Sequence, residues 1–185
     1  AYEFDRQLDT IATAQIALGM PNATAWAENL PEGTIKASAF DRIADRYASE
    51  DPTAAAEWVR SHADQEYAER AVREVAEELG KEDPEQAVRW VADLPDATRS
   101  RAISQSMERW TREDPVAAGN FLQVMAPSES RDAAVKSYAN ELDGSDPQMA
   151  AEWAGSIADD QMRAETLNGV ARTWIRRDPE GAREW

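Results

Sequence analysis

Residues 83–90 read DPEQAVRW, and the spacing within this stretch recurs along the chain. An Asp-Pro pair occurs five times at almost constant spacing, with an alanine four positions and a large aromatic seven positions after each Asp. The pairs are Asp51-Pro52, Asp83-Pro84, Asp114-Pro115, Asp146-Pro147 and Asp178-Pro179; the alanines are Ala55, Ala87, Ala118, Ala150 and Ala182; the aromatics are Trp58, Trp90, Phe121, Trp153 and Trp185. An earlier copy, counted from Gly19, keeps Ala23 and Trp26. These matches indicate an internal repeat of roughly 32 residues.

Each Asp-Pro pair predicts the start of a helix. The Asp carboxylate accepts hydrogen bonds from the first free backbone N–H groups, and its charge suits the positive end of the helix dipole. Proline fits the first helical position because its missing N–H is not needed there. The residues that follow at helical spacing are apolar, as in Ala87, Trp90, Val91 and Leu94. Every repeat therefore begins with an amphipathic helix.

A second helix of about 15 residues is predicted in each repeat. The first helix ends at the X-Pro pairs Leu30-Pro31, Leu94-Pro95 and Ala126-Pro127, since the residue before proline disfavours the helical conformation. The second helix has apolar or small residues 12, 11, 8, 7 and 4 positions before the next Asp; in one repeat these are Ala71, Val72, Val75, Ala76 and Leu79. Its predicted N-cap residues are Thr34, Asp64, Asp96, Ser128 and Asp159.

These helices predict an all-α protein built as one αα-hairpin array. We expect a lone helix at 3–18, with Leu8, Ile11 and Ala12 facing the core, and a half repeat at 178–185. Between them lie hairpins at about 19–50, 51–82, 83–113, 114–145 and 146–177. One hairpin cannot bury both of its apolar stripes, so neighbours must stack into a solenoid of about five and a half repeats. Because the array stops within a repeat, we expect the chain to be a fragment of a longer protein.

All seven tryptophans fall at two repeat positions, which favours a core role over carbohydrate or base stacking. Five stand at or near position 7 after the Asp, and the other two stand four residues before the next Asp. They are Trp26, Trp58, Trp90, Trp153 and Trp185 at the first position, and Trp110 and Trp174 at the second.

The paired helices, the closing proline and the tryptophan of the first helix resemble tetratricopeptide repeats, and the hairpin array also resembles HEAT-like repeats. The resemblance covers most of the chain but concerns architecture only. Tetratricopeptide repeats place Leu-Gly three and four residues after their tryptophan, where this chain has Ser61-His62, Asp93-Leu94 and Ser156-Ile157. The resemblance implies a right-handed superhelix that serves as a scaffold for protein contacts.

Composition argues against several classes of partner and site. The formal net charge is −16, from 20 basic and 36 acidic residues, so phosphate backbones and anionic membrane surfaces are repelled. No apolar run approaches the roughly 20 residues that span a bilayer. The chain has no cysteine and one histidine, which argues against a zinc site. We expect a soluble protein of the bacterial cytoplasm or envelope, with the compartment left open.

No pattern in the sequence points to catalysis, a cofactor or a metal. His62 occupies a position where other repeats have Leu, Met or Ile, and we interpret it as the polar end of a core stripe. A dense acidic cluster is read as a solvated face rather than a cation site; it comprises Glu74, Glu77, Glu78, Glu82 and Asp83. Four basic residues stand 15 positions before an Asp, and we expect them to pair with carboxylates or helix C-termini rather than to capture a ligand. They are Lys36, Arg99, Arg131 and Arg163.

The sequence therefore favours a non-enzymatic module that presents an extended surface to another protein or peptide. Two positions, ten and six before each Asp, vary between repeats and are free of the stacking constraint, so they can carry specificity. The candidate partner-binding residues are Arg73, Glu77, Ser104, Glu108, Lys136 and Asn140. The alternative is a structural spacer or accessory domain of a larger protein whose active part lies outside this chain. A helical-repeat enzyme of the nucleic-acid glycosylase type is disfavoured by the acidity.

Overall fold

The computed structural model describes residues 2–184, apart from the side chains of residues 2–5, 96, 97 and 184. Its first helix is α1 (Tyr2–Ala17), and its last is α12 (Gly181–Glu184). Within the described residues every regular element is helical and none is a strand. The all-α prediction is therefore confirmed.

Between these two helices, short and long helices alternate. Five short helices have 9 or 10 residues: α2 (Met20–Glu28), α4 (Pro52–Arg60), α6 (Pro84–Ala92), α8 (Pro115–Val124) and α10 (Pro147–Gly155). Five long helices have 14 to 18 residues: α3 (Thr34–Glu50), α5 (Glu69–Glu82), α7 (Asp96–Glu113), α9 (Glu129–Leu142) and α11 (Asp160–Arg177). A single 3-10 turn, Glu66–Ala68, precedes α5.

The Asp-Pro pairs start helices as predicted. In α4, α6, α8 and α10 the proline is the first helical residue, and the Asp carboxylate accepts a hydrogen bond from the backbone N–H three residues later. The donors are Ala54, Gln86, Ala117 and Met149, at 2.9 to 3.0 Å. Asp178 accepts from the Gly181 N–H in the same way at 3.0 Å.

Two of the five predicted N-caps of the long helices are confirmed. Ser128 Oγ accepts from the Arg131 N–H at 3.1 Å, and Asp159 Oδ1 accepts from the Met162 N–H at 2.6 Å. Each satisfies one of the backbone donors that a helix start leaves free.

The N-caps predicted at Thr34, Asp64 and Asp96 are wrong. Gly33, with φ 136°, is the N-cap of α3 and lets the chain turn into the helix without a side-chain cap. Asp64 lies in the connection ahead of the 3-10 turn, which leads into α5 in place of a capped start. Pro95 holds the N-cap position of α7, so Asp96 is already the first helical residue.

The long helices contact one another in chain order. Contacts join α1 to α3 and then each long helix to the next, and the most extensive contact joins α7 to α9. Each short helix contacts the long helices before and after it, whereas short helices make little contact with one another. No helix in the described part of the chain is both long and apolar enough to cross a membrane.

The core follows the repeated positions. All five predicted core residues of α5 and all five of α9 are buried. The repeated alanine of each short helix is fully buried: Ala23, Ala55, Ala87, Ala118 and Ala150. Leu8 and Ala12 of α1 are buried as predicted, but Ile11 is 47% exposed, so that prediction is wrong. Two helices pack on α1, namely α2 and α3. Neither of them covers the face of α1 on which Ile11 lies.

The core prediction for tryptophan is confirmed for Trp90, Trp110 and Trp174, which are at most 7% exposed. The other aromatics at the same repeat position are half-buried and pack against the core from its edge: Trp26, Trp58, Phe121 and Trp153. Because neighbouring short helices stand apart, one side of these rings meets solvent. Trp185 lies outside the described residues.

Candidate functional site

Basic and acidic residues are distributed differently over the helices and the connections between them. Sixteen of the 20 basic residues lie in the five long helices, which also contain sixteen acidic residues and so carry no net charge. The connections between helices contain twelve acidic residues and no lysine or arginine. The net charge of −16 therefore belongs to the connections, the short helices and α1.

Five of the basic residues in the long helices form ion pairs with the preceding or following helix of the same series. Every contact between consecutive members of the series α1, α3, α5, α7, α9 and α11 has one. The pairs are Arg42–Asp9 at 3.0 Å, Arg70–Asp41 at 4.0 Å, Arg101–Glu69 at 2.8 Å, Arg112–Glu141 at 2.9 Å and Lys136–Glu165 at 3.9 Å. Most of these side chains are well exposed, so each pair contributes little stability alone.

Among the candidate residues at the position ten before each Asp, none is fully exposed. Ser104 Oγ lies 3.2 Å from the Ser100 carbonyl oxygen and 3.4 Å from that of Ala133 in α9. Lys136 is the residue that pairs with Glu165. The Arg73 Nε atom is buried and has no hydrogen-bond partner among the described residues. These side chains therefore contribute partly to contacts between helices.

The candidates at the position six before each Asp are more accessible. Glu77 and Asn140 are exposed, and Glu108 is half-buried and pairs with Arg112. Glu77 and Glu108 line one groove of about 140 Å³ between α5 and α7. The structure thus brings two of the six candidates together in one groove.

A larger groove lies one repeat earlier, between α3 and α5. It has a volume of about 660 Å³, and its lining residues are Ser38, Asp41, Arg42, Asp45, Arg70 and Glu74. A second groove of about 530 Å³ lies between α1 and α3 and shares Arg42 and Asp45 with the first. We call the two together the α1–α3–α5 furrow.

Asp41 and Asp45 stand ten and six positions before Asp51, so they are the first-repeat equivalents of the six candidates. They were not among the residues predicted to bind a partner. The sequence distinguishes them in one way: both are acidic, whereas the residues ten and six positions before the Asp of later repeats vary in charge.

The negative charge of the Asp41 carboxylate is only partly neutralised by the basic residues that surround it in the furrow. Its side chain is 18% exposed, Oδ1 is buried without a hydrogen-bond partner in the described part of the chain, and Oδ2 lies 4.0 Å from Arg70 Nε. Arg70 also faces Glu74 at 3.6 Å. Burial raises the pKa of Asp41 to about 6, and the Glu74 charge adds to this shift. The charges of Arg70 and Arg73 and the Ala71 backbone N–H oppose the shift only in part.

His62 belongs to a separate polar network. It lies beyond the end of α4, and its ring nitrogens are 3.1 Å from Glu28 Oε1 and 3.1 Å from the Tyr67 hydroxyl. Trp58 Nε1 donates to the same Glu28 oxygen at 2.8 Å, and the Phe40 ring lies edge-on to His62 with centroids 5.0 Å apart. His62 thus packs on the core aromatics Phe40 and Trp58, in agreement with its interpretation as the polar end of a core stripe. Its ring nitrogens also form a polar link between the end of α2 and the α4–α5 connection.

The basic residues near the start of the long helices pair structurally, as predicted. Arg99 donates to the Ala92 carbonyl at 3.0 Å, Arg163 to that of Ile157 at 2.8 Å, and Arg131 to that of Ser156 at 3.3 Å. These carbonyls lie at or just beyond the ends of short helices, where acceptors are left free. Lys36 instead donates to the Glu32 carboxylate at 2.7 Å.

Among the described residues, no group of three or more His, Asp or Glu side chains is arranged to hold a metal ion. In the acidic cluster of α5, Glu74 and Glu78 pair with Arg70 and Lys81. These carboxylates are therefore engaged by the basic residues of their own helix.

No family model, curated protein or solved structure that was compared matches this chain. Function must therefore be inferred from the surface itself. The α1–α3–α5 furrow is the candidate site, because it combines a groove of about 660 Å³ with the partly buried Asp41 carboxylate, whose pKa is raised.

Proposed function

We propose that the chain is a right-handed αα-hairpin solenoid of about five and a half repeats, and that it is a non-enzymatic scaffold for protein–protein interaction. The repeat of roughly 32 residues, the alternation of short and long helices, and the contacts between long helices in chain order support this architecture. The similarity to tetratricopeptide and HEAT-like repeats concerns the same features.

The α1–α3–α5 furrow is the feature that most supports a role in protein interaction. It crosses three helices, and it contains the largely buried Asp41 carboxylate without an adequate counter-charge. A protein that needed only stability would pack or neutralise such a group. A surface that binds a partner leaves it for the partner to neutralise.

Site-specific photo-cross-linking tests this role. A photoreactive amino acid is placed at Asp45, Glu77 or Asn140 on the long helices, and at Val116 or Val124 on α8 as controls; the two valines are 72% and 81% exposed. In lysate of the source organism, we expect the same protein to be cross-linked from the long-helix positions and not from α8. The partner, identified by mass spectrometry, should then bind the purified chain in calorimetry. Equal labelling from both groups would contradict the proposal.

The alternative is a structural spacer or accessory domain. It is favoured by the ion pair that joins every consecutive pair of long helices, since these pairs engage charges that would otherwise be offered to a partner. A spacer would show no specific cross-link from any of the five positions.

A further inference from the structure

We propose that the α1–α3–α5 furrow binds an extended segment of a partner protein, with one lysine or arginine side chain of that segment seated between Asp41 and Asp45. This binding mode rests on the proposed scaffold function and adds the chemistry of the partner.

The carboxylates of Asp41 and Asp45 on α3 are only partly neutralised by the rest of the chain. Asp41 and Asp45 stand four residues apart on one helix, so their carboxylates are neighbours and repel each other. Asp45 is exposed and makes no ion pair within the described residues. A cation placed between them would relieve this repulsion and would supply the Asp41 carboxylate with a charged donor.

Three of the nearby arginines are already engaged. Arg42 pairs with Asp9 at 3.0 Å, and Arg46 pairs with Glu50 at 2.7 Å. Arg70 is divided between Asp41 at 4.0 Å and Glu74 at 3.6 Å, and its side chain is 65% exposed. Arg73 also lowers the pKa of Asp41 through its charge, but it forms no ion pair with Asp41. The chain's own basic residues therefore leave Asp45 without an ion-pair partner in the described part of the chain and neutralise Asp41 only in part.

The charge and shape of the furrow select the ligand. An anionic segment would be repelled by Asp41, Asp45 and Glu74, and an apolar one would remove water from these carboxylates without replacing its hydrogen bonds. A guanidinium or ammonium group is attracted by the carboxylates and also donates hydrogen bonds that replace those of water. Guanidinium in addition matches a carboxylate with two parallel N–H donors.

The length of the furrow suits an extended chain. Packed helix axes lie about 8–10 Å apart, so a path from α1 across α3 to α5 covers about 16–20 Å. An extended peptide advances about 3.3–3.6 Å per residue, and five or six residues span that distance. The two volumes, about 660 and 530 Å³, leave room for side chains on either side of the central cation.

The test is an NMR titration of the whole chain with a matched pair of peptides at pH 7.5 and low salt. The first probe is the acetylated, amidated hexapeptide Gly-Ser-Arg-Ser-Ala-Gly, and the second has citrulline in place of arginine, which keeps the shape and removes the charge. We expect saturable shifts centred on the amides of Ser38, Asp41, Asp45 and Glu74, with binding at least about tenfold weaker for the citrulline peptide.

Two double variants of equal net charge complete the test. Asp41→Asn with Asp45→Asn removes both furrow carboxylates and should weaken arginine-peptide binding by about tenfold or more. Glu57→Gln with Glu152→Gln removes two carboxylates from exposed positions of α4 and α10 and should leave binding unchanged. Folding of both variants is checked by their amide spectra before titration.

Three results would overturn the inference: equal binding of the two peptides, equal loss in both double variants, or shifts spread over the acidic connections at Asp51, Asp83 and Asp114. The last two would mean that the arginine peptide responds to overall charge alone. A cross-linked partner that binds the furrow variant normally would reject this inference while leaving the scaffold function intact. The absence of any partner at the long helices would reject the scaffold function itself.

Discussion

At the scale of single residues, Asp132 shows how a non-repeated side chain joins two repeats. It is 4% exposed, and its two carboxylate oxygens accept from the backbone N–H groups of Ala158 and Asp159 at 3.0 and 2.9 Å. These donors lie in the connection between α10 and α11, so α9 holds the start of the next long helix in place.

Replacing Asp132 with alanine should lower the free energy of unfolding by about 2–3 kcal/mol, because two backbone donors lose a charged acceptor. Thermal or urea denaturation followed by circular dichroism measures this loss. Asn140→Ala, an exposed change on the same helix, should alter stability by no more than about 0.5 kcal/mol. Equal effects of the two changes would show that the Asp132 contacts contribute nothing.

The raised pKa of Asp41 has a consequence for stability. A carboxyl group with a folded-state pKa near 6, above its ordinary 3.8, stabilises the fold fully below pH 3.8 and loses that contribution as pH rises through 6. Asp41→Asn should therefore stabilise the protein at pH 7.5 by about 1–2 kcal/mol, after allowance for solvent near the carboxylate. At pH 3.8 the variant and the parent should have nearly equal stability. Denaturation at both pH values, with Asp143→Asn as control, measures this difference.

Trp90 is buried, whereas the other described aromatics seven positions after an Asp are half-buried. Trp90→Ala should cost about 3–5 kcal/mol, the usual range for a large aromatic truncated in a core. Its Nε1 atom is buried without a hydrogen-bond partner among the described residues, so Trp90→Phe removes an unsatisfied donor and should cost clearly less. Denaturation of both variants tests the core assignment, and a small loss for Trp90→Ala would contradict it.

At the scale of helices, the sequence predicted structure correctly where its chemistry is local. Asp-Pro fixes the starts of four short helices, because the carboxylate cap and the proline geometry need no distant partner. The starts of α3 and α7 depend instead on Gly33 and Pro95, whose backbone geometry is set by how the hairpin closes. The hydrogen-bond partner of His62 was not predicted for the same reason, since Glu28 comes from the preceding repeat.

Gly119 marks a close approach between helices α8 and α9. A Cβ atom at this position would lie 2.7 Å from the Tyr138 hydroxyl, which donates to the Pro115 carbonyl oxygen at 2.8 Å. Gly119→Ala should therefore destabilise the protein, by about 1–3 kcal/mol, although alanine is the better helix former.

Gly169→Ala is the matched control for this change. Gly169 lies within α11, and nothing stands within 4 Å of an added Cβ atom, so the substitution should stabilise the protein by up to about 1 kcal/mol. Opposite shifts in melting temperature are expected for the two variants. Shifts of the same sign would show that Tyr138 moves away without cost.

At the scale of the whole molecule, the order of contacts follows the order of the chain. The repeat period predicted which helices would be neighbours, but it did not predict the furrow or the ion pairs between long helices. Arg101 and Glu69, for example, pair across a separation of one repeat length, yet no other two consecutive repeats combine an acidic and a basic residue at this pair of positions. Core positions recur because every repeat meets the same packing constraint. A surface ion pair requires only that the two facing residues have opposite charges, so it need not recur in other repeats.

A linear order of contacts predicts graded stability. Within the described residues, α1 and residues 178–184 have neighbours on one side only, whereas α5, α7 and α9 have them on both. Amide hydrogen exchange should therefore be fastest at the two ends and slowest in these three helices. Exchange measured by NMR or mass spectrometry tests this, and uniform protection along the chain would indicate one cooperative core instead.

The separation of charge between helices and connections also governs how copies of this protein behave in concentrated solution. Molecules that approach through their negatively charged connections repel one another, while the long-helix surfaces meet without net repulsion. At physiological salt the repulsion extends only about 8 Å, the Debye length. Added salt should therefore screen the repulsion between the connections and leave contacts between the long-helix surfaces almost unchanged. The preferred mutual orientation of two molecules, and with it the osmotic virial coefficient, then depends on ionic strength.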